Sequence, residues 1–141
     1  MTTRNLSDLF TDLPIEVFSE ITDTQVTAIV SDSRLAVPGC LFVAVRGSNF
    51  DGHRYIPEVV NKGAAAIVGV EANITLGIPY IQVSDTRHAL PYLSAAFYNY
   101  PGRKLIMIGV TGTDGKTTTT NLIFQILKEA GMKVGMISTV N

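Results

Sequence analysis

The residues with the clearest chemical potential form a short polar loop near the end of this chain of 141 residues. Glycines allow a backbone to curl until its N–H groups face inward, and a helix that begins there adds positive charge at the same point. A lysine and a hydroxyl beside such a loop can neutralise phosphate oxygens and ligate bridging magnesium. This loop supplies all of these groups in the order Gly112-Thr113-Asp114-Gly115-Lys116-Thr117-Thr118.

This pattern predicts a nucleotide-phosphate loop. Lys116 is the predicted catalytic residue at the β- and γ-phosphates, and Thr117 is the predicted magnesium ligand. The strict pattern has glycine where this chain has Val110, so the loop is a shortened form. A tight turn that binds nothing is the alternative, but the lysine and hydroxyl together argue against it. The side chain of Asp114 is expected to point away from phosphate. The predicted ATP-binding residues are Gly112, Thr113, Asp114, Gly115, Lys116, Thr117 and Thr118.

Secondary structure on both sides must hold this loop in place. The apolar run Leu105 to Val110 predicts a buried strand, and Thr117 to Ala130 predicts a helix that Gly131 ends. Val134 to Ile137 predicts a second strand. Residues 104–141 are therefore predicted to be the first strand-loop-helix-strand of an ATPase domain. The apolar face of the helix carries Leu122, Ile123, Ile126 and Leu127.

Residues 1–103 are predicted to form a separate α/β domain, because strand and helix patterns alternate along them. A helix is expected before Pro14, a second with Pro57 in its first turn and Gly63 at its end, and a third capped by Asp85. Residues 100–103 are predicted to be a linker. The predicted strands are Val26 to Val30, Leu41 to Val45, Ala65 to Val70 and Tyr80 to Val83.

Composition limits the class of protein. Apolar residues make up 46% and charged residues 16%, which is typical of a globular chain. The formal net charge of -1 gives no reason to expect binding to nucleic acid or to an anionic membrane. The single cysteine, Cys40, cannot form an internal disulfide and is expected in the core. The N-terminus has no apolar signal core, so a cytoplasmic protein is expected.

The loop from Thr111 to Thr119 resembles the ATP loop of the Mur ligases and the related folylpolyglutamate synthetases. Upstream segments resemble the N-terminal substrate domain of two Mur ligases, one adding the third peptide residue and the other the terminal dipeptide. Thr113 and Thr120 favour third-residue addition, because dipeptide-adding enzymes tend to carry serine and lysine there. The upstream segments are Ser31-Asp32-Ser33-Arg34, Pro38-Gly39, Leu41-Phe42-Val43-Ala44, Gly47 and Asp51-Gly52-His53.

The resemblance implies a reaction. ATP and Mg²⁺ would convert a carboxylate of UDP-N-acetylmuramoyl-L-Ala-D-Glu into an acyl phosphate, which the amine of an amino acid attacks. Such a ligase also needs an acidic magnesium ligand, a carbamylated lysine and an amino-acid-binding domain. None of these is expected in the chain, so we expect a fragment that is inactive alone and could dimerise through exposed strand edges. The alternatives are a dipeptide-adding ligase, a non-catalytic UDP-sugar-binding module and an unrelated phosphate-loop NTPase or kinase; the upstream segments argue against the last.

The resemblance also implies residues that bind the UDP-sugar. Ser31 and Ser33 would project to one face of an extended segment, where two hydroxyls can bind a uracil or a diphosphate. A turn stabilised by Ser and Asp side chains is the alternative, and Arg34 could pair with a diphosphate or with Asp32. Asp51-Gly52-His53 is expected to shape a loop, without touching substrate. The implied substrate-binding residues are Ser31, Ser33, Ser48, Asn49 and Phe50.

Overall fold

The computed structural model describes residues 2–47, 50–72 and 74–138. The chain divides into two compact units, Met1–Lys104 and Leu105–Asn141. The first unit contains six strands, three α-helices and short 3-10 turns within its described residues. Its elements are β1 (Arg4–Asn5), α1 (Leu6–Phe10), β2 (Gln25–Val26), β3 (Ala28–Val30), β4 (Cys40–Val43), α2 (Ile56–Asn61), β5 (Ala66–Gly69), β6 (Tyr80–Gln82) and α3 (Thr86–Phe97).

The main sheet of the first unit has four parallel strands in the order β3-β4-β5-β6. Leu41 of β4 lies opposite Ile29 on one side and Ala66 on the other. Since all four strands run in the same direction, their carboxyl ends share one edge of the sheet. A separate antiparallel pair joins β1 to β2. The mixed α/β class predicted from the sequence is confirmed for this unit.

The side chains of β4 alternate between two cores, as the two-residue period of a strand requires. Leu41 and Val43 pack with α1 and α3 on one face. Cys40 and Phe42 pack with α2 on the other face. All four residues are fully buried, which explains why β4 is apolar without interruption. Cys40 is a core residue, as predicted, and burial raises the pKa of its thiol.

Local sequence signals mark the helices as predicted. The Asp85 carboxylate caps α3 by accepting hydrogen bonds from the backbone N–H groups of Arg87 and His88. Pro57 lies in the first turn of α2, where no backbone donor is needed. Helix α3 continues through Pro91 without a shift in its start. Helix α1 ends at Phe10, earlier than the predicted end before Pro14.

The second unit contains α4 (Lys116–Glu129), but the two predicted strands beside it are wrong. Residues 105–110 and 133–138 have no regular secondary structure, and Ile106 and Ile137 are 88% and 99% exposed. A parallel strand forms only against a partner backbone, and the described residues of this unit contain no paired strand. On the apolar face of α4, Leu122 and Ile126 are 59% and 66% exposed.

Across the described residues, no helix combines the length and the apolar character that a membrane span requires. The longest helix, α4, has 14 residues. A span through the hydrocarbon core of a bilayer needs about 20 residues.

Candidate functional site

The polar segments of the first unit gather at the carboxyl edge of the parallel sheet. Residues 31–33 follow β3, residues 44–53 follow β4, and Val70 and Glu71 follow β5. Open parallel sheets bind their ligands beyond the carboxyl ends of their strands. The topology therefore brings together the segments after β3 and β4 that the sequence analysis singled out.

The first of these segments is a capped turn. The Asp32 carboxylate accepts a hydrogen bond from the backbone N–H of Arg34 and caps the 3-10 helix Ser33–Leu35. The Arg34 guanidinium donates to both oxygens of the same carboxylate, from Nε to Oδ1 at 3.0 Å and to Oδ2 at 3.1 Å, and from Nη2 to Oδ2 at 2.6 Å. Hydrogen bonds from the side chain and backbone of Arg34 lower the pKa of Asp32 to about 2. The sequence left two partners open for Arg34, a diphosphate or Asp32, and in this structure Arg34 pairs with Asp32.

The extended geometry predicted for this segment is wrong at Ser33. This residue begins the 3-10 turn and is 5% exposed, whereas Ser31 is half-buried. The ammonium group of Lys62 on the C-terminal side of α2 donates to the Ser33 carbonyl at 2.8 Å and pairs with Glu58 at 2.7 Å. The turn alternative describes the backbone here, because capping by Asp32 stabilises a turn more than an extended chain.

The second segment presents an aromatic pair. The backbone N–H of Gly47 donates to the carbonyl of Phe50 at 2.6 Å, which closes a tight loop. The Phe50 ring is 45% exposed and stacks on the ring of Tyr55, with centroids 5.4 Å apart. Phe50 is therefore not a core residue. Ser48 and Asn49, which precede Phe50 and were also predicted to bind substrate, lie outside the described residues.

Sequence reasoning missed Tyr55 as a site residue, because its spacing was assigned to the helical pattern of α2. The 3-10 turn Gly52–Tyr55 instead places it before that helix, 37% exposed. The pKa of Arg34 is raised, chiefly by its hydrogen bond to Asp32 and in smaller part by Tyr55. Tyr55 therefore lies beside Phe50 in the segment after β4.

A network of charged side chains fixes the base of the second segment. Arg46 pairs with Asp51 across the loop, Nε to Oδ2 at 3.0 Å, and with Glu71 after β5 at 3.0 Å. The Arg46 carbonyl accepts a hydrogen bond from Nε of Arg87 in α3, also at 3.0 Å. Asp51 also caps the turn by accepting from the backbone N–H of His53. The predicted loop-shaping role of Asp51 agrees with these contacts.

The charge of Asp51 should make stability depend on acid. Hydrogen bonds from the ring and backbone of His53, and from Arg46, lower the pKa of Asp51 to about 2, against about 3.9 in an unfolded chain. Because the folded pKa is the lower one, the stabilisation is complete above about pH 4 and is lost towards about pH 2. We expect Asp51→Asn to lower the free energy of unfolding at pH 7, with a difference from wild type that shrinks between those pH values.

Urea unfolding at a series of pH values measures this difference. Asp12→Asn, at an exposed aspartate, is the matched control and should leave the pH dependence of unfolding as it is. A difference between Asp51→Asn and wild type that stays constant from pH 7 to about pH 2 would rule out a charge-dependent role for Asp51.

In the second unit, the predicted phosphate loop has the backbone that its glycines allow. Gly112 and Gly115 adopt φ values of +148° and +74°, which residues with a side chain rarely adopt. Helix α4 then begins at Lys116, and among the described residues no side chain caps it. The N–H of Thr119 is bonded to the Gly115 carbonyl, so the N–H groups at the helix start remain to meet an anion.

The Lys116 ammonium group lies over this loop. It donates to the carbonyl of Gly112 and, at 3.0 Å, to the carbonyl of Thr113. The hydroxyl of Thr120 donates to the Lys116 carbonyl at 2.8 Å, within α4 itself. Thr117 is half-buried at the helix start. A lysine and a hydroxyl at an uncapped helix start suit a phosphate that carries magnesium.

These features define a class of protein, a parallel α/β unit followed by a glycine-rich loop that opens a helix. Comparison with known proteins specifies the family. The model of the Mur ligase family, catalytic domain, matches residues 25–98. The match covers more than half of the chain, and the chain belongs to the Mur ligase family. The matched residues lie within the first unit.

Curated relatives show which enzymes of this family the chain is similar to. The chain is 42% identical over 138 residues to the UDP-N-acetylmuramoyl-L-alanyl-D-glutamate–2,6-diaminopimelate ligase of Cytophaga hutchinsonii, covering 96% of this chain and 28% of that protein. It is 45% identical to the corresponding ligase of Geobacillus thermodenitrificans, with 82% and 23% covered. A UDP-N-acetylmuramyl-tripeptide synthetase of Roseiflexus is also 45% identical, with 83% and 23% covered. The chain thus spans about a quarter of the length of these relatives.

Solved structures share the fold. MurF from Acinetobacter baumannii matches with a TM-score of 0.69 and 32% identity, covering 90% of this chain and 28% of that protein. MurF ligase from Thermotoga maritima, solved in complex with ADP, matches with a TM-score of 0.55 and 31% identity, covering 72% and 23%.

Proposed function

We propose that this chain is the N-terminal part of an ATP-dependent ligase that adds the third amino acid to UDP-N-acetylmuramoyl-L-Ala-D-Glu in peptidoglycan synthesis. The observation that carries the proposal is the similarity of 42% over 138 residues to a relative named for that reaction. In this proposal residues 1–103 bind the UDP-sugar, and residues 104–141 begin the ATP-binding domain. The protein acts in the cytoplasm, where its nucleotide substrates are made.

The geometry of the first unit supports the UDP-sugar assignment. Ser31 and Ser33 lie after β3 and Phe50 lies after β4, so both segments stand at the edge where parallel sheets bind ligands. The exposed ring of Phe50, backed by Tyr55, offers a flat face to a pyrimidine. Lys62, whose ammonium group is bonded to the Ser33 carbonyl, adds positive charge beside a diphosphate. Ser48 and Asn49 complete the proposed set.

The phosphate loop supports the ATP assignment. The N–H groups at the start of α4 and the Lys116 ammonium group would hold the β- and γ-phosphates, and the Thr117 hydroxyl would ligate Mg²⁺. The magnesium ion would neutralise charge that develops during phosphoryl transfer. Lys116 would have to leave the carbonyls of Gly112 and Thr113, and a phosphate oxygen, with a full negative charge, is the stronger acceptor. The relative in complex with ADP is consistent with this role.

A dipeptide-adding ligase is the second candidate, because the two solved structures described above are MurF enzymes. Their identity to this chain is 31–32%, against 42–45% for the third-residue ligases and the tripeptide synthetase. Thr113 and Thr120 also favour third-residue addition, because dipeptide-adding enzymes tend to carry serine and lysine at these positions. These differences favour third-residue addition.

Replacing Phe50 with alanine is expected to weaken the binding of UDP about tenfold, because base stacking on an aromatic ring contributes about 1–3 kcal/mol. Titration calorimetry of the full chain with UDP measures the change. Tyr98→Ala is the control, because Tyr98 is a 66% exposed aromatic residue at the C-terminal end of α3 and outside the proposed site. Equal affinity in the Phe50 variant and wild type would remove Phe50 from the site. A wild-type chain that does not bind UDP would contradict the assignment of the first unit.

The 141 residues alone are expected to form no amide bond between an amino acid and UDP-N-acetylmuramoyl-L-Ala-D-Glu. The chain spans 28% of the length of its Cytophaga relative, so most residues of that enzyme have no counterpart in it. Chromatographic detection of product after incubation with ATP, Mg²⁺ and diaminopimelate or lysine measures this. A complete relative assayed in parallel is the positive control. ATP-dependent product from the purified chain would contradict the proposal that it is only part of an active site.

A further inference from the structure

A cluster of titratable side chains lies behind the proposed UDP loop. One ligand atom from each of Asp51, His53 and Glu71 lies within 4.8 Å of the others. The spacing would suit a metal ion, but the histidine has no nitrogen to offer. Its Nδ1 is 2.8 Å from the Asp51 carboxylate, and its Nε2 is 3.1 Å from the backbone nitrogen of Val70. The cluster therefore has a role other than metal binding.

The partners of His53 determine which nitrogen carries the proton. A backbone N–H can only donate, so Nε2 must accept from Val70 with its lone pair. The remaining proton is then on Nδ1, which donates to the Asp51 carboxylate. The ring is thus the neutral Nδ1–H tautomer. Its side chain is 4% exposed, and a Cβ on Gly69 would lie 3.0 Å from its Nε2, so the ring is packed tightly against β5.

These contacts connect the proposed UDP loop to the sheet. Asp51 stands at one end of residues 46–51 and pairs with Arg46 at the other end. His53 joins Asp51 to the backbone after β5, and Glu71 joins Arg46 to the same place. The loop would be held at both ends to a strand edge that is itself part of the core.

We infer that His53 is a positioning residue, which links Asp51 to the backbone of Val70 and thereby holds the neighbouring Phe50 where it can bind the UDP moiety. This inference rests on the proposed function. His53 touches no substrate in it. This positioning role requires both ring nitrogens of His53 at once, with Nδ1 as the donor to Asp51 and Nε2 as the acceptor from Val70.

Two substitutions separate these requirements. In His53→Asn the amide nitrogen replaces Nδ1 and can still donate to Asp51, but Val70 loses its acceptor. In His53→Gln the amide oxygen replaces Nε2 and can still accept from Val70, but Asp51 loses its donor. Because each variant breaks one link, each is expected to raise the dissociation constant for UDP about tenfold. His88→Asn, the same change at an exposed histidine of α3, should leave it unchanged.

Amide hydrogen exchange distinguishes loss of loop position from loss of the fold. The N–H of Gly47, bonded to Phe50, reports on the loop, whereas the N–H of Ala44, bonded to Val68, reports on the sheet. Both His53 variants should speed exchange at Gly47 about tenfold or more and leave Ala44 as in wild type. Nitrogen-15 NMR of the wild-type chain should find His53 protonated at Nδ1 and unprotonated at Nε2.

Each readout can overturn the inference. It fails if Nε2 carries the proton, if exchange at Gly47 is unchanged in both variants, or if both bind UDP as wild type does. If the wild-type chain does not bind UDP, the proposed function fails instead, and exchange at Gly47 together with the tautomer decides whether His53 holds the loop.

Discussion

Replacing Gly52 with alanine is expected to lower the free energy of unfolding by about 3 kcal/mol, at the upper end of the usual cost of overpacking a tight site. A Cβ at this position would lie 2.8 Å from the backbone nitrogen of Val45 and 2.9 Å from its carbonyl oxygen. These are backbone atoms, so no side-chain rotation can relieve the clash. The N–H of Gly52 donates to the same carbonyl, and that hydrogen bond would be strained as well.

Urea unfolding followed by circular dichroism measures the loss. Gly77→Ala is the matched control, because among the described residues no heavy atom beyond its chain neighbours lies within 4 Å of a Cβ placed there. We expect a change in the free energy of unfolding within about 0.5 kcal/mol. Binding of UDP to the Gly52 variant should also weaken, since Gly52 lies between Asp51 and His53. Equal stability of the Gly52 and Gly77 variants would show that the segment after β4 can move away from Val45 at no cost.

Hydrogen exchange should differ by about a thousandfold or more between the two units of the chain. The strand β4 is paired on both sides and its residues Cys40–Val43 are fully buried. Its amides should exchange only through global unfolding. Residues 105–110 form no strand, and Ile106 and Met107 are 88% and 76% exposed. Their amides should exchange at close to the rate of an unfolded chain, and α4 should be intermediate because it is hydrogen-bonded along its own length.

Mass spectrometry after timed labelling measures these rates, and the experiment should be run at two protein concentrations. Protection of residues 105–110 that grows with concentration would indicate pairing between copies of the chain, the dimer expected from the sequence. Protection across Ile106 to Val134 equal to that of Leu41 to Val45, in a chain shown to be monomeric, would contradict the prediction.

The lack of a paired strand at residues 105–110 should also weaken ATP binding. The N–H groups of the phosphate loop bind tightly only where they are held in place before the ligand arrives. We therefore expect the isolated chain to bind ATP weakly even though Gly112 and Gly115 have the backbone that the loop needs. Weak ATP binding is consistent with the proposed role of this loop in holding ATP. The cause would be the lack of a paired strand beside the loop, and not the residues of the loop itself.

The sequence by itself determined the elements whose signals are local. Asp85, Pro57 and Gly63 act through hydrogen bonds and dihedral preferences within one turn of chain, so the helices α2 and α3 could be predicted from them. The apolar run of β4 also predicted its strand, because a strand buried on both faces has few other compositions. The proposed phosphate loop also rests on a local signal, because seven consecutive residues carry its pattern.

The tertiary structure decided what depends on residues distant in sequence. Residues 105–110 have the composition of a buried strand, but a strand exists only with a partner, and the described residues of the second unit provide none. The error at Ser33 is of a different kind, because the cap by Asp32 that makes it a turn is a local contact and the turn was one of the two alternatives open from the sequence. Neither the stack of Phe50 on Tyr55 nor the link from His53 to Val70 can be read from spacing. The link from His53 to Val70 arises because the parallel strands bring the segments after β4 and β5 to one edge. The stack joins two residues of the same segment, and it depends on the 3-10 turn that places Tyr55 before α2.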